Sequence, residues 1–149
     1  MKKYLLISII LLCGVFSTYA QSTVYFFAIE SWVPIPIKIN NQDAFVLKGS
    51  PKGKNLTSRY SPCRKECILY SEGKIVFSFE FLRTNQANTN IVYKYADEIQ
   101  LTLSENSVHY ILVKSKGFND YTFQELSEKD GEKLAKNKKY VLTPKYVEQ

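Results

Sequence analysis

Apolar side chains recur along this chain mostly with the period of two that marks a β-strand, not the 3.6 of a helix. Ile75, Phe77, Phe79 and Phe81 fall on one face while Ser78 and Glu80 fall on the other, which predicts a half-buried strand. Val24-Tyr25-Phe26-Phe27-Ala28-Ile29 is apolar at every position, as expected of a central strand in a packed layer. Ile35, Ile37 and Ile39 alternate with Pro36, Lys38 and Asn40; Asn40-Asn41-Gln42-Asp43 has turn chemistry, and residues 44–48 return as the partner strand. Residues 67–70, 91–95, 98–103, 108–114 and 121–126 read as further strands, with Ser104-Glu105-Asn106-Ser107 as a hairpin connection. One helical signature stands out. Ser127-Glu128-Lys129-Asp130 has the form of a capping box opening a short charged helix over 127–139, weakened by Gly131. The pattern predicts an all-β chain, mainly an antiparallel sandwich of about seven or eight strands with a short C-terminal α-helix.

The first twenty residues do not belong to this pattern. Met1-Lys2-Lys3 is a short positive start, residues 4–16 are almost wholly apolar, and Ser17-Thr18-Tyr19-Ala20 ends on small residues. This is the form of a secretory signal peptide over 1–20, leaving residues 21–149 as a single exported domain. The apolar run is shorter than the roughly 20 residues needed to span a bilayer, so no membrane span is expected in the mature protein. The expected location is periplasmic or extracellular. A lipid anchor on Cys13 is the alternative, although the bulky Leu12 stands where a small residue normally precedes a lipidated cysteine.

Charge and cysteines refine the picture. The chain carries 20 Lys and Arg against 14 Asp and Glu, a formal +6 that falls to +4 without Lys2 and Lys3. A mild basic excess by itself names no partner. Cys63 and Cys67 remain in an oxidising compartment and are expected to pair as a disulfide. The ring would hold about five residues and contribute roughly 2 kcal/mol or less. A C-x-x-x-C spacing without a histidine cluster argues against redox or metal chemistry.

Candidate sites are few. Residues 48–66 form a long non-periodic stretch, read as a basic loop, in which Lys48, Lys52, Lys54, Arg59, Arg64 and Lys65 offer a surface for an anionic ligand. Trp32 and Tyr60 are candidates for stacking on a sugar face. His109 is the only histidine and shares a strand face with Ile111 and Val113, which makes it a structural residue by default. No nucleophile elbow, metalloprotease helix, P-loop or dinucleotide fingerprint occurs. Glu80, Asp97 and Glu98 are the carboxylates a polysaccharide hydrolase would have to draw on. Neither a cofactor nor a metal is indicated, and no nucleic-acid-binding module is present. On a eukaryotic background Asn55-Leu56-Thr57 would be a glycosylation acceptor.

Four pieces carry a resemblance: the opening Val24-Tyr25-Phe26-Phe27, the Ile37-Lys38-Ile39-Asn40 turn before Val46-Leu47-Lys48, the Val108-His109-Tyr110-Ile111-Leu112-Val113 strand, and Phe123-Gln124-Glu125-Leu126-Ser127 running into Glu128-Lys129-Asp130-Gly131-Glu132. In that order they resemble small exported bacterial domains of unknown function with a transthyretin-like, carboxypeptidase-regulatory-like sandwich. The chain departs from the pattern at Ala28, where an arginine is expected, and in the longer insert around Cys63 and Cys67. The resemblance implies a fold and an envelope location and brings no catalytic residues. The resulting expectation is a non-enzymatic envelope module that binds a protein through a strand edge, or an anionic glycan at the basic loop. The alternative is a hydrolase of envelope polysaccharide.

Overall fold

A computed structural model describes residues 21–53, 59–85, 87–115 and 121–148. The signal segment with Cys13, Lys54 and the Asn55-Leu56-Thr57 sequon lie outside the described residues. The described residues form an all-β sandwich with one short helix.

Strands β1 (Ser22–Ala28), β4 (Cys63–Leu69), β7 (Val108–Ser115) and β8 (Tyr121–Glu125) build the first sheet in the order β4-β1-β7-β8. Two further short strands, β9 (Val141–Leu142) and β10 (Tyr146–Val147), both pair parallel with β4. The second sheet runs β3 (Gln42–Leu47), β2 (Ile35–Ile39), β5 (Gly73–Thr84), β6 (Val92–Leu103). It is antiparallel throughout, whereas in the first sheet β1 runs parallel to β7 and antiparallel to β4.

The two-faced character of β1 has a direct structural cause. Val24, Phe26 and Ala28 point into the inter-sheet core, where the Phe26 ring meets Phe77 edge-on at 5.0 Å. Phe27 points the other way, into a second cluster with Tyr110 and Leu112 that the helix α1 (Glu128–Ala135) covers with Leu134 and Ala135. Three layers result: helix, first sheet, second sheet. Ser127 caps the helix as expected, its Oγ accepting from the Asp130 amide, while its hydroxyl donates to the Asp130 carboxylate. Gly131, which lowers helix propensity, is the residue that lets the helix sit down. A Cβ there would lie 2.0 Å from Cγ of Tyr110.

Several sequence expectations need correction. The 91–95 and 98–103 segments are one strand, β6, paired with β5 without a break from Gly73↔Leu103 to Thr84↔Val92. The 104–107 turn is not a hairpin connection, because β6 and β7 lie in different sheets. The helix stops at Ala135, with Lys136 as its C-cap, instead of running to 139. The strand expected from Cys67 begins at Cys63, so Arg64 and Lys65 belong to β4 and not to a loop. The disulfide is absent. Cys63 and Cys67 are free buried thiols four residues apart on the same face of an extended strand. At about 3.3 Å per residue their Cα atoms stand roughly 13 Å apart, beyond the 7 Å or so that a disulfide tolerates.

Candidate binding groove

Of the described basic residues and rings singled out in the sequence, Lys52, Arg59, Trp32 and Tyr60 gather at one place, Lys48 and Lys65 at another, and Arg64 lies on the outer face of β4. At one end, Glu30 ion-pairs with Lys52 and, at 3.5 Å, with Arg59. The hydrogen bond from Lys52, and then both positive charges, hold the Glu30 carboxyl below its ordinary pKa. The Arg59 guanidinium lies 4.5 Å over the Trp32 ring, so cation–π contact occupies a face that a sugar would need. Tyr60 donates its amide to the Ser31 carbonyl at 2.7 Å and bridges to Pro51. This cluster ties residues 50–53 and 59–60 to the β1–β2 connection, with the Glu30 carboxylate shared between two cations.

Lys48 and Lys65 are placed differently. On β4 the side chains alternate, with Cys63, Lys65, Cys67 and Leu69 inward and Arg64, Glu66 and Ile68 outward. Arg64 is half-buried on the outer face, and its carbonyl accepts from the Thr143 amide at 3.0 Å and hydroxyl at 3.1 Å. Lys65 therefore occupies a core position and is only 7% exposed. Its ammonium donates to the Pro144 carbonyl at 2.6 Å and lies 5.4 Å from the centre of the Phe45 ring. Lys65 forms no ion pair among the described residues, and burial pushes its pKa down from the usual lysine value.

A groove of about 430 Å³ opens beside this ammonium, lined by Val46, Lys48, Gly49, Ser50, Lys65 and residues 141–144. It has two cations, aliphatic walls and no acid. A larger cleft of about 850 Å³ lies between residues 39–44 and 145–148 along the same margin of the sandwich. Both lie beside β3, which among the described strands pairs only with β2.

The opposite margin is shut. Asp97 of β6 accepts from the Phe123 amide at 2.7 Å and the Thr122 hydroxyl at 2.9 Å, joining the edge strands of the two sheets. Tyr95 and Tyr121 pack edge-to-face across the same seam at 5.5 Å. Asp97 is thus engaged in holding β8. Glu80 and Glu98 lie on the other face of the second sheet, and Glu80 pairs with Lys94 at 3.0 Å. His109 bonds through Nδ1 to Glu125 at 3.0 Å, and its Nε2 is buried without a hydrogen-bond partner.

Residues 141–148 lie outside the elements that the sequence pattern predicts. The signal was present in Val141-Leu142 and Tyr146-Val147 flanking Pro144, two apolar pairs that become β9 and β10. Among the described residues no three His, Cys, Asp or Glu side chains gather as metal ligands, and no helix is long and apolar enough to cross a membrane. Comparison with known protein families, curated proteins and solved structures finds no match to this chain.

Proposed function

We propose that this protein is an exported, non-enzymatic binding module of the bacterial cell envelope, which holds an anionic partner at the open margin of a transthyretin-like sandwich. The leader-like first twenty residues support export, to the periplasm or the cell exterior. One observation carries the binding surface. Lys65 starts from a core position and brings its ammonium to a groove that Lys48 shares, with no ion-paired carboxylate among the described residues. Partial desolvation of an ammonium with no ion-pair partner is unfavourable, and a bound anion would offset that cost.

The test is crosslinked capture of partners from the native envelope, with each captured species re-bound at low and high salt. A partner whose retention falls with salt, and falls again for Lys48→Ser and Lys65→Met, supports the proposal. Retention that ignores both substitutions places the binding surface elsewhere. Absence of any specific partner counts against a binding module altogether.

A further inference from the structure

Resting on that functional reading, we infer that the partner is an extended acidic polypeptide segment, which adds as a strand to the outer edge of β3 with one carboxylate received by Lys65 and Lys48.

Three independent features converge on this occupant. First, β3 ends its sheet, and none of the described strands pairs with its outer side. A free strand edge presents a row of amides and carbonyls that only another extended backbone satisfies throughout. Second, a cleft opens at each end of that edge, one beside Gln42–Ala44 and one beside Val46 and Lys48, with the Phe45 ring packed on Tyr146 between them, so a strand's side chains have a recess on either side of Phe45. Third, the charge has a register. Phe45 sits in the middle of β3 with the Lys65 ammonium 5.4 Å from its ring centre, and Lys48 follows directly after the strand. An acidic side chain, or a terminal carboxylate, opposite residues 45–48 meets both cations.

The groove suits a peptide better than a glycan. Its walls are Val46, Val141, Leu142 and Pro144, with Leu142 61% exposed, which matches aliphatic side chains of an alternating strand. Of the two rings offered by sequence as a sugar platform, Trp32 and Tyr60, Trp32 lies under Arg59.

The experiment has two arms on the purified protein. Random twelve-residue peptides are displayed against it, and a panel of anionic polysaccharides (hyaluronan, polygalacturonate, lipoteichoic acid, lipopolysaccharide) is measured in parallel. The expected result is enrichment of alternating apolar sequences sharing an Asp or Glu. Replacing that acid by its amide weakens binding about tenfold or more, and Lys65→Met does the same. Val46→Asp, an exposed substitution that leaves the core intact, weakens it too by placing like charge on the edge. Bound peptide also slows hydrogen exchange at amides of residues 42–47, a backbone signature that simple charge attraction does not produce. Enrichment without an acid, binding that survives Lys65→Met and Val46→Asp alike, or unchanged exchange along β3 overturns the inference. Binding to a polysaccharide alone overturns it while leaving the functional reading in place. Silence in both arms defeats both.

Discussion

The two thiols give the sharpest test of the fold. Cys63 and Cys67 are 1% and 0% exposed. Burial pushes their pKa values up from 9.0, to about 11 for Cys63 and about 12 for Cys67. At pH 8 an ordinary thiol of pKa 9 is about 10% thiolate, whereas these two are roughly 0.1% and 0.01% ionised. Ionisation alone therefore slows a thiolate-specific reagent about 100-fold at Cys63 and 1000-fold at Cys67, before steric exclusion is added. Ellman's reagent on native protein should show almost no reaction over minutes and two thiols at once in guanidinium. Native protein purified without reductant should retain both hydrogens by intact mass. A disulfide would have to draw Cα atoms from roughly 13 Å to under about 7 Å. That breaks β4 out of its seven-residue ladder with β1, at the centre of the core. Since net stabilities are about 5–15 kcal/mol, oxidation in the unfolded state should block refolding until reductant is added. The pH dependence has a definite sign. Folded thiol pKa values lie above the unfolded one, so their stabilisation is complete below pH 9 and declines as pH rises from 9 toward 11 and 12. Fast labelling of the native protein, or an oxidised species that still unfolds cooperatively, refutes this account of β4.

Three further outcomes follow from the packing. Asp97→Ala removes the acceptor of the Phe123 amide and Thr122 hydroxyl and should cost about 2–3 kcal/mol, read as a lowered Tm; Asp97→Asn, which keeps an acceptor oxygen, should lose less, whereas a catalytic carboxylate would not tolerate it. Gly131→Ala should destabilise by about 1–2 kcal/mol in urea titration, since overpacking against Tyr110 outweighs the gain of up to about 1 kcal/mol in helix propensity. Lys65→Met should raise stability by about 1–2 kcal/mol at neutral pH. The folded lysine pKa is lowered, so the wild type carries its full penalty below that value and loses it as pH climbs toward 10.5; the gap to the variant should close over that range in parallel denaturant titrations.

How much of this was legible in the sequence depended on how far apart the partners lie. The Phe77–Phe79–Phe81 alternation, the apolar run of β1 and the Ser127 cap are local patterns, and each became the expected element. The Asn40-Asn41 turn is also local: both residues take positive φ, 48° and 67°, as a two-residue hairpin requires. The start of β4 was hidden because Lys65 holds a core position, so the Cys63-Lys65-Cys67 alternation reads as a charged loop. Residues 98–103 and 108–114 looked like a hairpin because sequence proximity does not say which sheet a strand joins. Asp97 looked like any solvent-facing acid because its partners stand 25 and 26 residues away. For the groove, Lys48 was visible, but its companion wall, 141–144, arrives from the far end of the chain.

The contrast between the two margins then bears on function. A sandwich with no partner has reason to protect both of its edges, and this chain protects one and a half. The β6–β8 margin is sealed by Asp97 and two tyrosines. On the other side, β3 carries a register shift opposite Ile37 and Lys38 and an exposed Lys38–Asp43 ion pair, both devices that discourage chance edge pairing. Those devices stop near Ala44. From Phe45 to Lys48 the edge is regular, Val46 is 44% exposed, and the neighbouring wall is interrupted at Pro144, which has no amide to give and turns its carbonyl to Lys65. The interruption between β9 and β10 thus falls at the level of the buried ammonium. Where edge protection is relaxed, a cation without an ion-pair partner among the described residues and an aliphatic groove appear together, and that coincidence favours the Phe45–Lys48 stretch over the Trp32 cluster as the site for the proposed partner.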